Sequence, residues 1–261
     1  MSKSNLPIPE PTSSDAPADG DEMTIWGHIG ELRNRLFICL LAMVLTIIIT
    51  TIFGKQLISF LAYPIGGVEK LTAIEVTENM SVFMRVSLLG GFILALPVIL
   101  YELVAFVMPG LEKKERNYLL MAIPAASILF LSGAAFAFYV MLPAALPFLT
   151  EFLGIQTTPR LSNYISFVTN LVFWIGLSFE TPLLMYILAR FNIVTAAGLA
   201  KQWRIAIIVI AILAAVVTPT ADPINMGLLM LPLSVLYVLS IILAKIAHKE
   251  PKLEPETQTT E

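Results

Sequence analysis

Six apolar runs, at residues 36–53, 85–107, 118–142, 165–189, 204–217 and 225–244, constrain this chain more than any other feature of its sequence. A bilayer's hydrocarbon core is about 30 Å thick and takes roughly 20 helical residues to cross. Backbone polar groups inside it are satisfied only by helices or closed barrels. Runs of this length without strand-like alternation predict an all-α polytopic membrane protein with six transmembrane helices. Only 13% of residues are charged, against about a quarter in soluble domains, and 57% are hydrophobic.

Lysine and arginine set the orientation. With both termini inside, Lys3, Arg33, Arg35, Lys113, Lys114, Arg116, Arg190, Lys201, Arg204, Lys245, Lys249 and Lys252 fall on the inner face. Only Lys55, Lys70, Arg85 and Arg160 fall outside. A cationic excess on inner loops makes the arrangement N-in, C-in. The outer stretches 54–84 and 143–164 are too long for plain turns and too apolar for disorder. Tyr63-Pro64-Ile65-Gly66-Gly67 and the prolines Pro143 and Pro147 predict bent segments and short helices that cap the outer face.

Residues 1–22 are rich in Pro, Ser and acidic side chains and read as a disordered inner tail. Residues 246–261 form a second inner tail, leaving 23–245 as the membrane domain. Within it, Ile25, Trp26, Ile29, Leu32 and Leu36 recur at helical spacing, which predicts an amphipathic interfacial helix feeding the first span. A net charge of -3 argues against a nucleic-acid partner. The single cysteine, Cys39, excludes a disulfide framework, and two histidines at opposite ends, His28 and His248, supply no zinc set. No catalytic constellation, metal or cofactor is expected.

Three places carry the polar chemistry. The first is 96–116, an apolar helix that stops at Pro109-Gly110 and opens into a loop holding Lys113, Lys114, Arg116 and the carboxylates Glu112 and Glu115. The mixture of signs makes it a docking surface as well as a topology signal. The second is Glu180, mid-run and two residues before Pro182, where a charge costs at least about 2.5–3.5 kcal/mol and normally faces a cavity or a partner. A protonated Glu180 satisfied inside the bundle is the plainer alternative. The third is the turn 218–223, which ends a run of 14 residues at 204–217, about 21 Å long and short of the core thickness. Glu102 reads as interfacial, and Asp222 as a cap for the last helix.

These stretches, in this order, resemble the TatC family of the twin-arginine protein translocase. The resemblance rests on His28-Ile29-Gly30-Glu31-Leu32-Arg33-Asn34-Arg35-Leu36, Tyr63-Pro64, Pro97-Val98-Ile99-Leu100-Tyr101-Glu102 and Phe106. It continues through Pro109-Gly110-Leu111, Glu115-Arg116, Phe179-Glu180-Thr181-Pro182 and Thr218-Pro219 with Asp222. It implies a receptor in the cytoplasmic (inner) membrane of a prokaryote that binds twin-arginine signal peptides of folded cargo. Such a receptor acts with TatA- and TatB-like single-span subunits in an oligomeric complex driven by the proton-motive force. By position, Glu31 and Glu115 would meet the twin arginines, with Arg33 and Arg116 holding the carboxylates in place. Glu180 would be an intramembrane polar contact, and Pro64, Phe106, Thr218 and Asp222 structural or partner contacts. Two departures stand out: Glu102 where glutamine is common, and Asn225-Met226 where the family often has Ser-Gln. The rival class is an ion-coupled small-molecule carrier using Glu180; the lack of an internal repeat argues against it.

Overall fold

A computed structural model describes residues 25–108, 113–150, 158–218 and 223–247. Of the two tails, only Ile246 and Ala247 lie within these residues, and both continue the last helix.

The first helix, α1 (Ile25–Ile52), is continuous. The amphipathic stretch runs into the first span without a break, because no proline interrupts it and its glycines, Gly27 and Gly30, sit in the first two turns. The outer loop that follows folds as expected into α2 (Gly54–Ala62) and two short 3₁₀ turns, Tyr63–Ile65 and Val68–Lys70. Pro64 sits in the first of these, and Gly66 and Gly67 reverse the chain at positive φ, 96° and 103°.

Next come α3 (Glu78–Val107) and α4 (Lys113–Phe136). A π turn, Ala137–Met141, leads from α4 into α5 (Leu142–Thr150), so Pro143 and Pro147 extend the third span instead of opening a loop. The fourth run is two helices, α6 (Leu161–Phe179) and α7 (Thr181–Arg190), joined at Glu180. Pro182 falls in the first turn of α7, where a missing N–H costs no helical bond. A short α8 (Ala196–Lys201) precedes α9 (Trp203–Val217) and α10 (Pro223–Ala247).

Five helical stretches among the described residues are long and apolar enough to cross a membrane. The sixth apolar helix, α9, has 15 residues and spans about 22 Å. Such a helix forces local thinning or shelter behind its neighbours. The last two elements pack on different partners, α9 beside α10 and α10 chiefly along α7.

The pair α1–α3 is the tightest contact. A Cβ on Gly91 would stand 2.4 Å from Ile47 Cγ1 and 2.9 Å from its Cα, so only glycine permits the approach. Thr46 Oγ1 donates to the Gly91 carbonyl and Thr50 Oγ1 to that of Ser87, each at 2.8 Å. The α4–α6 pair uses the same device, with the Phe130 ring lying against Gly176. The main core occupies the outer half, where Leu61, Val86, Met141, Leu142, Ile165 and Leu171 pack together.

That core is roofed by a polar latch between the two outer loops. Thr72 N–H donates to the Pro159 carbonyl at 3.1 Å, and Leu161 N–H to the Thr72 carbonyl at 3.0 Å. Glu78, only 2% exposed, accepts from Ser162 N–H at Oε1 (2.6 Å). At Oε2 it accepts from Ile74 N–H (3.0 Å) and Arg160 Nε (3.1 Å). Arg160 also reaches Glu75 at 2.7 Å. The bond to Glu75, then that to Glu78, pushes the Arg160 guanidinium further above its ordinary range, so the latch stays charged.

Candidate functional site

At the inner end, α1 and α3 run antiparallel and present matching faces. On α1 the face is His28, Glu31 and Arg35, spaced three and four residues apart; on α3 it is Glu102 and Phe106, four apart. His28 stacks on Phe106 with ring centroids 4.3 Å apart. Arg35 reaches back one turn to Glu31 Oε1 with both Nε (2.9 Å) and Nη2 (2.6 Å). Its Nη1 crosses to Glu102 Oε2 at 3.0 Å.

One guanidinium thus serves two carboxylates, leaving a net negative charge. The surplus has an address: Glu31 Oε2 is buried and accepts no hydrogen bond from the described residues. A buried carboxylate oxygen without a donor carries the full cost of its desolvation, and a charged donor would relieve it.

Two expectations are revised here. Arg33 is exposed and does not hold Glu31; residues two apart on a helix lie on opposite sides, whereas Arg35 at four is on the same face. Glu102 is not simply interfacial: it is 8% exposed and ion-paired. Arg116 is exposed near the start of α4. Glu115 lies in the first turn of the same helix, and its side chain, like the Pro109-Gly110 turn, is outside the described residues.

The family model described as Sec-independent protein translocase protein (TatC) matches residues 27–232. This chain belongs to the TatC family. The TatC of Carboxydothermus hydrogenoformans is 38% identical over 226 residues, covering 85% of this chain and 93% of that relative. A chloroplastic TatC of Arabidopsis thaliana is 38% identical over 224 residues, 84% of this chain and 66% of the longer plant protein. A crystal structure of the twin-arginine translocase receptor TatC superposes with a TM-score of 0.76 at 34% identity, covering 85% of this chain and all of that one. The helical, multi-pass TatC architecture follows.

The remaining expected positions spread over this TatC fold. Glu180 caps the α6–α7 junction: its N–H donates to the Leu177 carbonyl (3.2 Å) and its carbonyl accepts from Leu184 (2.9 Å). Its carboxylate Oε1 is buried and without a partner. Thr218 ends α9, with both its N–H and hydroxyl bonded to the Ala214 carbonyl at 3.0 Å. It also lines a 510 Å³ outer cavity with Asn163 and Asn170. Asp222 and its turn lie outside the described residues. Met226 packs against the outer core.

Arg35 is not among the residues expected to hold Glu31, although its i+4 spacing is a legible signal. The Arg35–Glu102 pair joins residues 67 apart and had no local signal.

Proposed function

We propose that this chain is the receptor of a twin-arginine translocase, binding the paired arginines of signal peptides at the Glu31 cluster. The carrying observation is the unpartnered, buried Glu31 Oε2 in a cluster with one more carboxylate than guanidinium. An incoming arginine brings the missing positive charge and the missing donors together. Arg35 holds Glu31 through Oε1 alone, so Oε2 keeps its orientation without being consumed. Glu115, by its family position, supplies the second carboxylate. Each charged hydrogen bond contributes about 1.5–3 kcal/mol, enough to favour two adjacent guanidinium groups over diffuse positive charge.

In this reading Glu180 offers a partner helix or a deeply inserted signal peptide a polar contact in an otherwise apolar wall. TatA- and TatB-like subunits engage at the short α9 and Thr218 in this reading, the positions that the TatC resemblance implies as partner contacts. The chain acts as a non-enzymatic component of the translocase, in the inner membrane of a prokaryote, with the proton-motive force driving transport of folded cargo. The TatC match gives no support to a small-molecule carrier.

The test is binding of a fluorescent twin-arginine signal peptide to the purified chain in detergent. Glu31→Ala and Glu115→Ala should each weaken binding at least tenfold, the equilibrium value of about 1.4 kcal/mol. Unchanged affinity in both variants would remove the site from this cluster.

A further inference from the structure

Three arginines among the described residues are half-buried: Arg35, Arg160 and Arg190. The first two face carboxylates. Arg190, the last residue of α7, faces no carboxylate of the described residues within 4 Å. Its one hydrogen bond is a long contact from Nη2 to the Tyr118 hydroxyl at 3.5 Å, with its guanidinium 5.1 Å from the centre of that ring. A guanidinium carries five donors, so most are unspent. Nor do the helix-end carbonyls absorb them. Those of Ile187, Leu188 and Ala189 accept from the N–H groups of Phe191, Ile193 and Asn192, the last turning at φ 57°.

Directly beneath this cation, between α4 and α7, runs a cavity of about 180 Å³. Tyr118 and Arg190 stand at it beside Ala122, Leu183, Tyr186 and Ile187, and its walls are almost wholly apolar. It belongs to the end of the bundle where the lysines and arginines collect. A volume of this order takes about six chain methylenes, counted at roughly the 30 Å³ share of a water molecule. An aromatic rim, an unpaired cation and an apolar slot together match one ligand chemistry. Basic pockets between membrane helices bind anionic headgroups, and the slot takes the acyl chain.

We propose that the α4–α7 groove is a binding site for an anionic phospholipid, its phosphate on Arg190 and Tyr118 and the first part of one acyl chain in the groove. A comparable cavity of 240 Å³ in the outer half, with Leu57, Phe60, Val86 and Phe138 in its walls, has no cation among its lining residues. It would take chains without choosing among headgroups. Selectivity for negative charge is therefore assigned to Arg190.

The test uses the full chain, purified and delipidated in nonionic detergent. Native mass spectrometry follows its titration with phosphatidylglycerol and, separately, with phosphatidylcholine. The wild type should retain phosphatidylglycerol at least about fivefold better, the effect of roughly one cation at an anionic headgroup. Arg190→Gln should bring phosphatidylglycerol down to the phosphatidylcholine level and leave the latter unchanged. Arg190→Lys should keep more than half of the preference. Circular dichroism and size exclusion check that each variant is folded. Equal retention of both lipids by the wild type would overturn the site, as would a preference that survives Arg190→Gln. Lipid-free dimers lost in Arg190→Gln would assign the face to a second copy of the chain instead. None of these outcomes depends on signal-peptide binding, so the receptor reading stands or falls separately.

Discussion

Glu78 at the outer end and Glu31 at the inner end are both carboxylates held by an arginine, yet their oxygens end differently. Glu78 has both oxygens occupied, by the backbone N–H groups of Ile74, Glu75 and Ser162 and by Arg160. Glu31 has one oxygen doubly occupied and the other buried and bare. The outer cluster ties two loops together over the main core. The inner cluster sits between the inner ends of α1 and α3, away from the main core. A buried charge whose lone pairs are all satisfied rigidifies; one left partly unsatisfied is poised to take a donor. The contrast separates a structural cluster from a binding one by counting partners.

The largest effect should come from reversing the inner charge. Glu31→Lys removes the acceptor and repels the incoming arginines, so signal-peptide affinity should fall by about 100-fold or more, equivalent to roughly 2.7 kcal/mol. Its thermal unfolding in detergent should stay near that of the parent chain. Unfolding that drops together with binding would erase the distinction between the clusters.

The reciprocal change comes next. Glu78→Ala strips acceptors from the Ser162 and Ile74 N–H groups and from Arg160 at once. Thermal unfolding should shift down by on the order of 5–10 °C, while peptide affinity stays within about twofold, the scatter expected of a distant site. A large affinity loss without a stability loss would place the binding site at the wrong end.

Glu102→Gln sharpens the comparison inside the inner cluster. Without the second carboxylate, Arg35 neutralises Glu31 alone, and the surplus negative charge disappears. Affinity should fall about three- to tenfold, as for losing one charged contact near the surface. Tighter binding would mean that Glu102 competes with the peptide's docking instead of supporting it.

Glu180 divides two roles. A polar contact survives as an amide, so Glu180→Gln should retain most export of a folded twin-arginine reporter, whereas Glu180→Ala should lose copurification of single-span subunits by about twofold to fivefold, the weight of one intramembrane hydrogen bond. Loss of export in the glutamine variant, with assembly intact, would make the titratable proton the essential feature. The smallest effect is expected at Arg33: exposed and away from the Glu31 face, its change to Gln should alter affinity by less than about twofold.

Much of this molecule was legible before any tertiary information. The apolar runs announced the membrane class and the helices, because each span must satisfy its own backbone and so carries its signal locally. Tyr63-Pro64-Ile65-Gly66-Gly67 announced the outer turn, because positive φ favours glycine. Glu31 and Arg35 were one helical turn apart on paper. What tertiary structure alone decided is how those local pieces meet. Gly91 against Ile47 sets the register of α1 on α3, and that register brings Glu102 to Arg35 and Phe106 to His28. Arg160 reaches Glu78 across 82 residues of chain for the same kind of reason. A helix's periodicity says which side chains share a face, but the partner of that face follows from packing. Whether a carboxylate is finished or still has an oxygen to offer is therefore a property of the assembled bundle.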